Sequence, residues 1–214
     1  MLRIRQFELR VQALAASGEL PGPAHLYTGQ EAVAAGVCAN LRDDDYVSST
    51  HRGHGHVVGK GSELGPCMAE LFGKATGVCS GKGGSMHMAD MSLGIIGANG
   101  IVGAGIPIAV GAALSASMRK TDQVSVAFFG EGATNEGTFH ESMNLAKTWN
   151  LPIVFACENN GYGQMTRMEK VTATLEMYKR AEAYGMPAVC VDGNDAFAVE
   201  AAAREAVQRA RSGG

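Results

Sequence analysis

Two apolar runs of this chain end in side chains able to hold a cation. "VSVAFF" closes at Gly130-Glu131-Gly132, and "PIVFAC" closes at Glu158-Asn159-Asn160-Gly161. Glu131 offers an anionic oxygen and Asn160 a neutral amide oxygen. With backbone carbonyls and phosphate oxygens from a ligand, they form a magnesium-type ligand set. The flanking glycines let backbone N–H groups approach a phosphate, and the N-terminus of a following helix adds its dipole. Glu131 and Asn160 are 29 residues apart, the length of one strand–helix–strand crossover. In an open parallel sheet ligands bind beyond the carboxyl ends of the strands, so the two are expected to be neighbours. Either turn alone reads equally well as a helix cap; the pair in register favours a cation–diphosphate site.

The elements that must position them follow from periodicity. Strand 124–129, helix 135–148, strand 152–157, helix 173–184, strand 187–191 and helix 195–211 alternate regularly. Near-continuous apolar strands in such an alternation indicate an α/β fold, a parallel sheet with helices on both faces. Upstream, Leu2, Ile4, Phe7, Leu9, Val11 and Leu14 predict a helix ending near Gly18. A second helix is expected within 29–41, then a short strand "YVSST". "HRGHGHVVGKG" reads as a loop by its glycines, and "SELGPCMAELFGKA" as a helix capped by Ser62. Residues 77–100 form a long glycine-rich loop, of the length more often functional or partner-covered than idle. Segment 104–118 is apolar on nearly all sides and predicts a buried central helix. No repeat or linker divides the chain, so residues 1–214 read as a single domain.

Composition narrows the function. A net charge of -3 gives no general affinity for nucleic acid or anionic lipid, and no apolar run is long enough to span a membrane. Cys38, Cys67, Cys79, Cys157 and Cys190 lack C-x-x-C spacing. That pattern points to a reducing, cytoplasmic setting and against a disulfide framework or a zinc site. Cys157 and Cys190, in apolar runs, are expected to be small core residues. "GHVVGKG" and "GVCSGKGG" miss the P-loop spacing, and "GAGIPI" fails the dinucleotide fingerprint at its last position. "HRGHGH" offers histidines on one flexible segment without a cysteine or carboxylate beside them, which disfavours a zinc cluster. His56 reads as a surface histidine, and for His87 structure and function weigh equally.

The stretch from Gly130 to Asn160 resembles the thiamine diphosphate motif, which begins G-D-G or G-E-G and closes in N-N. "HLYTGQEAVAAGV", "THRGHGH", "GKGGSMHMAD" and "GANGIVGAGIPIAVGAALS" are similar to α subunits of 2-oxo acid dehydrogenase E1 components, above all those acting on acetoin. The resemblance implies the thiamine diphosphate-binding fold, as a diphosphate-binding domain lacking its C-terminal part. It implies a role as the α subunit of an enzyme that cleaves acetoin or a 2-oxo acid and passes the acyl group to a lipoyl domain. A pyruvate or branched-chain enzyme, half of a split transketolase, and a truncated inactive fragment are the alternatives.

By this resemblance Glu131, the Asn160 side chain and the Tyr162 carbonyl hold Mg²⁺, while Gly132 and Ala133 line the diphosphate. Glu stands at 131 where the family usually has Asp, which implies a slightly displaced backbone. Gly100 and Val102 match positions at the aminopyrimidine and thiazolium, and Arg52 matches an arginine that grips the diphosphate, for which a fork of donors suits. His51 stands at a cofactor-binding position where many members carry Tyr. His25 and His54 match histidines near the reacting centre, so they are the catalytic candidates. The implied partners are an E1 β subunit in an α2β2 assembly and a lipoyl-bearing E2 acyltransferase. The carboxylate that activates the aminopyrimidine belongs to the β subunit by the same resemblance, so neither Glu136 nor Glu158 is given that role. The isolated chain is expected to be inactive.

Overall fold

Strand β3 (Ser125–Gly130) shows why the sheet needs two covering layers. In a strand successive side chains point to opposite faces. Ala127 and Phe129 therefore join one apolar cluster, and Val126 and Phe128 join another. The computed structural model describes residues 1–213. Its main sheet has the order β2-β1-β3-β4, all pairs parallel, with β1 Tyr46–Ser48, β2 Ile95–Gly97 and β4 Ile153–Glu158. Helices α5 (Gly105–Arg119) and α6 (Gly137–Thr148) cover one face through Ile106, Ala109, Val110, Phe139 and Met143. Helices α2 (Glu31–Cys38) and α8 (Ala196–Arg211) cover the other through Val37, Val199 and Ala203. Burying a side chain of this size contributes about 1.5–3 kcal/mol. The expected fold class therefore holds.

The α2–α8 crossing depends on a glycine. A Cβ on Gly36 would lie 2.8 Å from Val199 Cγ1 and 2.9 Å from the Glu200 backbone nitrogen, so only hydrogen allows this approach. A third apolar cluster joins α1 (Leu2–Ala16), α3 (His54–Lys60) and α4 (Leu64–Leu71) beside the β2 end of the sheet.

Several expectations are corrected. Residues 54–60 are helix α3, not loop; Val57 and Val58 enter the core, and Gly61 closes the helix at φ 116°. Local glycine content misled there because tertiary burial overrides propensity. Ser62 does not cap α4: Glu63 is its N-cap residue, and Ser62 Oγ donates to Asp90 Oδ2 at 2.7 Å. Helix α5 buries one face only, leaving Ile108 49% and Met118 75% exposed. Helix 135–148 begins at Gly137, after a 3-10 turn at Glu131–Asn135. The 173–184 helix is reduced to α7, Tyr178–Glu182. Residues 187–191 form no strand and lie exposed, because β propensity is realised only by pairing, so β4 ends the sheet. Cys157 and Cys190 are exposed rather than in the core. A small antiparallel hairpin, β5 (Tyr162–Gly163) with β6 (Thr166–Arg167), follows β4.

Candidate functional site

The register of β3 on β4 sets Gly130 opposite Glu158. Both chains leave the sheet at that level, and the backbone N–H of Asn160 donates to Glu131 Oε2 at 3.3 Å. Glu131 is 1% exposed, yet its other oxygen, Oε1, has no hydrogen-bond partner. An unpaired buried acceptor costs about 1–3 kcal/mol, more when charged. A cation bound there would satisfy it. The Asn160 amide is held in place: Nδ2 donates to Gln30 Oε1 at 3.1 Å, and Oδ1 accepts from the Tyr162 backbone N–H at 3.1 Å. Among the described residues no three His, Cys, Asp or Glu side chains converge as a metal cluster. Any cation here must therefore draw on amide, carbonyl and ligand oxygens beside Glu131, as a hard oxygen-seeking ion does.

These residues border a cleft of about 860 Å³ at the carboxyl ends of the strands. It also takes in His25, His51, Arg52, Gly100, Val102, Gly132, Ala133 and Tyr162, so ten of the eleven candidates from the sequence come together, Glu131 and Asn160 included. Arg52 is steered by one bond, Nη1 to the Leu26 carbonyl at 2.6 Å. The His25 and His51 rings meet edge to face at 5.0 Å. Burial first, then the Arg52 charge, pushes both imidazoles below their ordinary value. Both are therefore neutral at pH 7, and the buried His25 Nδ1 has no partner.

His54 is the exception. Its ring is fully buried behind the cleft, with Nδ1 3.1 Å from Glu8 Oε1 and Nε2 2.9 Å from Ser85 Oγ. Its place is that of a brace between α1, α3 and the 77–100 loop rather than a group facing a ligand. His56, expected on the surface, is also fully buried, stacked on Phe128 at 3.8 Å between ring centroids. The His87 ring lies near the Gly100 backbone, and the residue is exposed.

Sequence reasoning missed Tyr27 and Ser49 and gave no role to Glu158 or His56, and these four meet at the cleft floor. Glu158 Oε1 accepts from the Tyr27 hydroxyl and lies 3.3 Å from His56 Nε2, and His56 Nδ1 is 2.7 Å from Ser49 Oγ. Burial first, and Glu158 second, push the Tyr27 phenol well above its ordinary value, so it donates to the carboxylate. The ring of Tyr27 fits because residue 55 is glycine: a Cβ there would sit 2.0 Å from Tyr27 Cδ1. The only sequence signal was a polar H-G-H inside a run that continues as apolar "VV".

A family model described as dehydrogenase E1 component matches residues 1–214. The chain belongs to the dehydrogenase E1 component family. It is similar, at 59% identity over its whole length, to the α subunit of an acetoin:2,6-dichlorophenolindophenol oxidoreductase of Bacillus subtilis (strain 168). Identity to the α subunit of the same name from Cupriavidus necator is 50% over the whole chain. A pyruvate dehydrogenase E1 α subunit of Rhizobium meliloti is 42% identical, again over the whole chain. The chain spans 64% of the length of each of the first two relatives and 61% of the third. Among solved structures, one described as a thiamin diphosphate-dependent enzyme from Mycobacterium smegmatis matches 88% of this chain and 33% of its own. At a TM-score of 0.56 and 21% identity, that likeness speaks for the fold alone.

Proposed function

We propose that this chain forms the cation- and diphosphate-binding part of the α subunit of a thiamine diphosphate-dependent E1 dehydrogenase acting on acetoin. The observation that carries the reading is the buried, unpaired Glu131 Oε1 beside Asn160 at the ends of paired strands. An orphaned carboxylate oxygen fits a divalent cation such as Mg²⁺, and a diphosphate supplies the oxygens this chain lacks. Glu131, Asn160 and the Tyr162 carbonyl would hold the cation, with Gly132, Ala133 and Arg52 on the diphosphate. Thiamine diphosphate, when bound, supplies the carbanion chemistry that cleaves a bond next to a carbonyl. The cleft's own residues anchor the ligand, and His25 and His51 offer neutral imidazoles that can accept or return a proton. The higher identity to the acetoin relatives supports acetoin over pyruvate as substrate.

The partners of the assembly follow as part of the same proposal. Ile101 and Val102 at the cleft mouth are 70% and 57% exposed, and a β subunit would cover them. The acyl group would pass to the lipoyl domain of an E2 acyltransferase. The free thiols support a reducing, cytoplasmic setting. Calorimetric titration with thiamine diphosphate and Mg²⁺, with and without the β subunit, tests the reading. Saturable binding that requires the β subunit is expected; no binding in either case overturns it. Assay of the assembled pair on acetoin, pyruvate and branched-chain 2-oxo acids then tests the substrate.

A further inference from the structure

Beneath the cleft floor, four side chains have a donor–acceptor order that leaves one group over. Tyr27 and His56 are fully buried, Ser49 is 1% exposed and Glu158 7%. The Tyr27 hydroxyl donates to Glu158 Oε1. A lone pair of His56 Nε2 facing that carboxylate would repel it, so Nε2 carries the proton and shares it between the Tyr27 oxygen at 3.2 Å and Glu158 Oε1 at 3.3 Å. On the far side of the ring Nδ1 is tied to Ser49 Oγ, 2.7 Å away. Both donors converge on Oε1. The second oxygen, Oε2, accepts from no protein group among the described residues, although Glu158 lines the cleft. A nearly buried carboxylate is thus clamped by one oxygen and left open to the cleft by the other.

Position says which part of a ligand would meet it. Glu158 pairs in register with Gly130, one residue before Glu131, so it borders the cation seat. It lines the same cleft as His51 and His25, whose imidazoles face each other. It therefore borders the cation anchor while facing the remainder of the cleft, which the organic part of a ligand must fill.

Resting on the cofactor reading above, we propose that Glu158, clamped by Tyr27 and His56, is a binding residue whose Oε2 accepts a hydrogen bond from an N–H or O–H group on the organic part of the ligand, separately from the Glu131 anchor.

Glu158→Gln tests it in the full-length chain assembled with its β subunit. The amide keeps an acceptor for Tyr27 and His56 and turns a donor into the cleft in place of Oε2. Two probes divide the site: Mg²⁺ with inorganic pyrophosphate engages only the anchor, and Mg²⁺ with thiamine diphosphate engages both parts. The expected result is a loss of about tenfold or more in thiamine diphosphate affinity, as for a hydrogen bond to a charged group, with pyrophosphate affinity unchanged. Tyr27→Phe, which loosens the clamp without touching the cleft, is expected to give a smaller loss of the same selectivity, and it serves if E158Q does not assemble. Equal weakening of both probes would show a merely structural residue and overturn the inference, as would no change in either. Wild-type protein that binds neither probe would sink the cofactor reading along with it; wild type that binds both, with E158Q unaffected, sinks this inference alone.

Discussion

Glu131 shows how a single residue can be unfavourable for the empty fold and favourable for the loaded one. Its buried Oε1 lacks a partner, and folding bears the desolvation of that oxygen without compensation. Replacing the charge with an amide relieves part of that cost while removing the ligand. Glu131→Gln is therefore expected to raise the melting temperature of the ligand-free protein by about 2–4 °C, the shift for roughly 1 kcal/mol in a chain of this size. The same variant should lose the rise in melting temperature that Mg²⁺ and diphosphate give the wild type through preferential binding to the folded state. Differential scanning calorimetry with and without the ligand reads both effects. A variant that still responds to Mg²⁺ would remove Glu131 from the cation site.

Helix α4 illustrates how one element orders a loop with no regular structure of its own. Glu70, fully buried on its last turn, accepts four backbone N–H groups: Cys79 and Gly81 on Oε2, Gly83 and Gly84 on Oε1. Burial alone would push this carboxyl up, but the bonds from Gly81, Cys79, Gly84 and Gly83 outweigh it and hold it below its ordinary value of 4.5. Because the folded-state value is depressed, the stabilisation is fully present above pH 4.5 and is lost as the pH falls through the folded value. Glu70→Ala deprives those half-buried donors of their acceptor, at a cost of about 3 kcal/mol. Protection of the residue 79–84 amides, relative to their intrinsic exchange rate at each pH, is expected to fall in the variant at pH 7, and in the wild type on acidification, before that of the β3–β4 amides. Unchanged protection of that loop would show that something other than Glu70 orders it.

Across the whole molecule, Asp45 joins parts of the chain that are far apart in sequence. It is fully buried; Oδ1 accepts from the Val124 backbone N–H at 2.8 Å, and both oxygens meet Arg211, with Nη2 2.7 Å from Oδ2. The start of β1, the entry to β3 and the last turn of α8 therefore share one carboxylate. Removing the carboxylate leaves the buried Val124 N–H without an acceptor and the partly exposed Arg211 without its ion partner, a loss of about 3 kcal/mol. Asp45→Ala is expected to lower the unfolding free energy by that amount, read as a lower urea midpoint with an unchanged slope, since the surface exposed on unfolding stays the same. A smaller loss confined to α8 would mean that the helix is not part of the cooperative unit.

The alternating strands, the glycine-bounded Glu131 and Asn160, and the crossover between them were all legible in the residues, because period-two burial and strand-end chemistry are local properties. The helix at 54–60 and the edge position of β4 were not. Glycines in "HRGHGHVVGKG" signal a loop until Val57 and Val58 find a core supplied by α1 and α4, and 187–191 has the composition of a strand without a neighbouring strand to pair with. His54 and His56 show the same limit at the site. Identical residue types two positions apart behave differently because one meets Glu8 and Ser85 behind the cleft, and the other meets Glu158 from 102 residues further along. The sequence by itself determined the parallel β3–β4 crossover, the family and which residues could hold a cation and a phosphate. Only the tertiary structure decided which oxygens are left unpaired at Glu131 and open at Glu158, since hydrogen-bond satisfaction depends on groups brought together from across the chain.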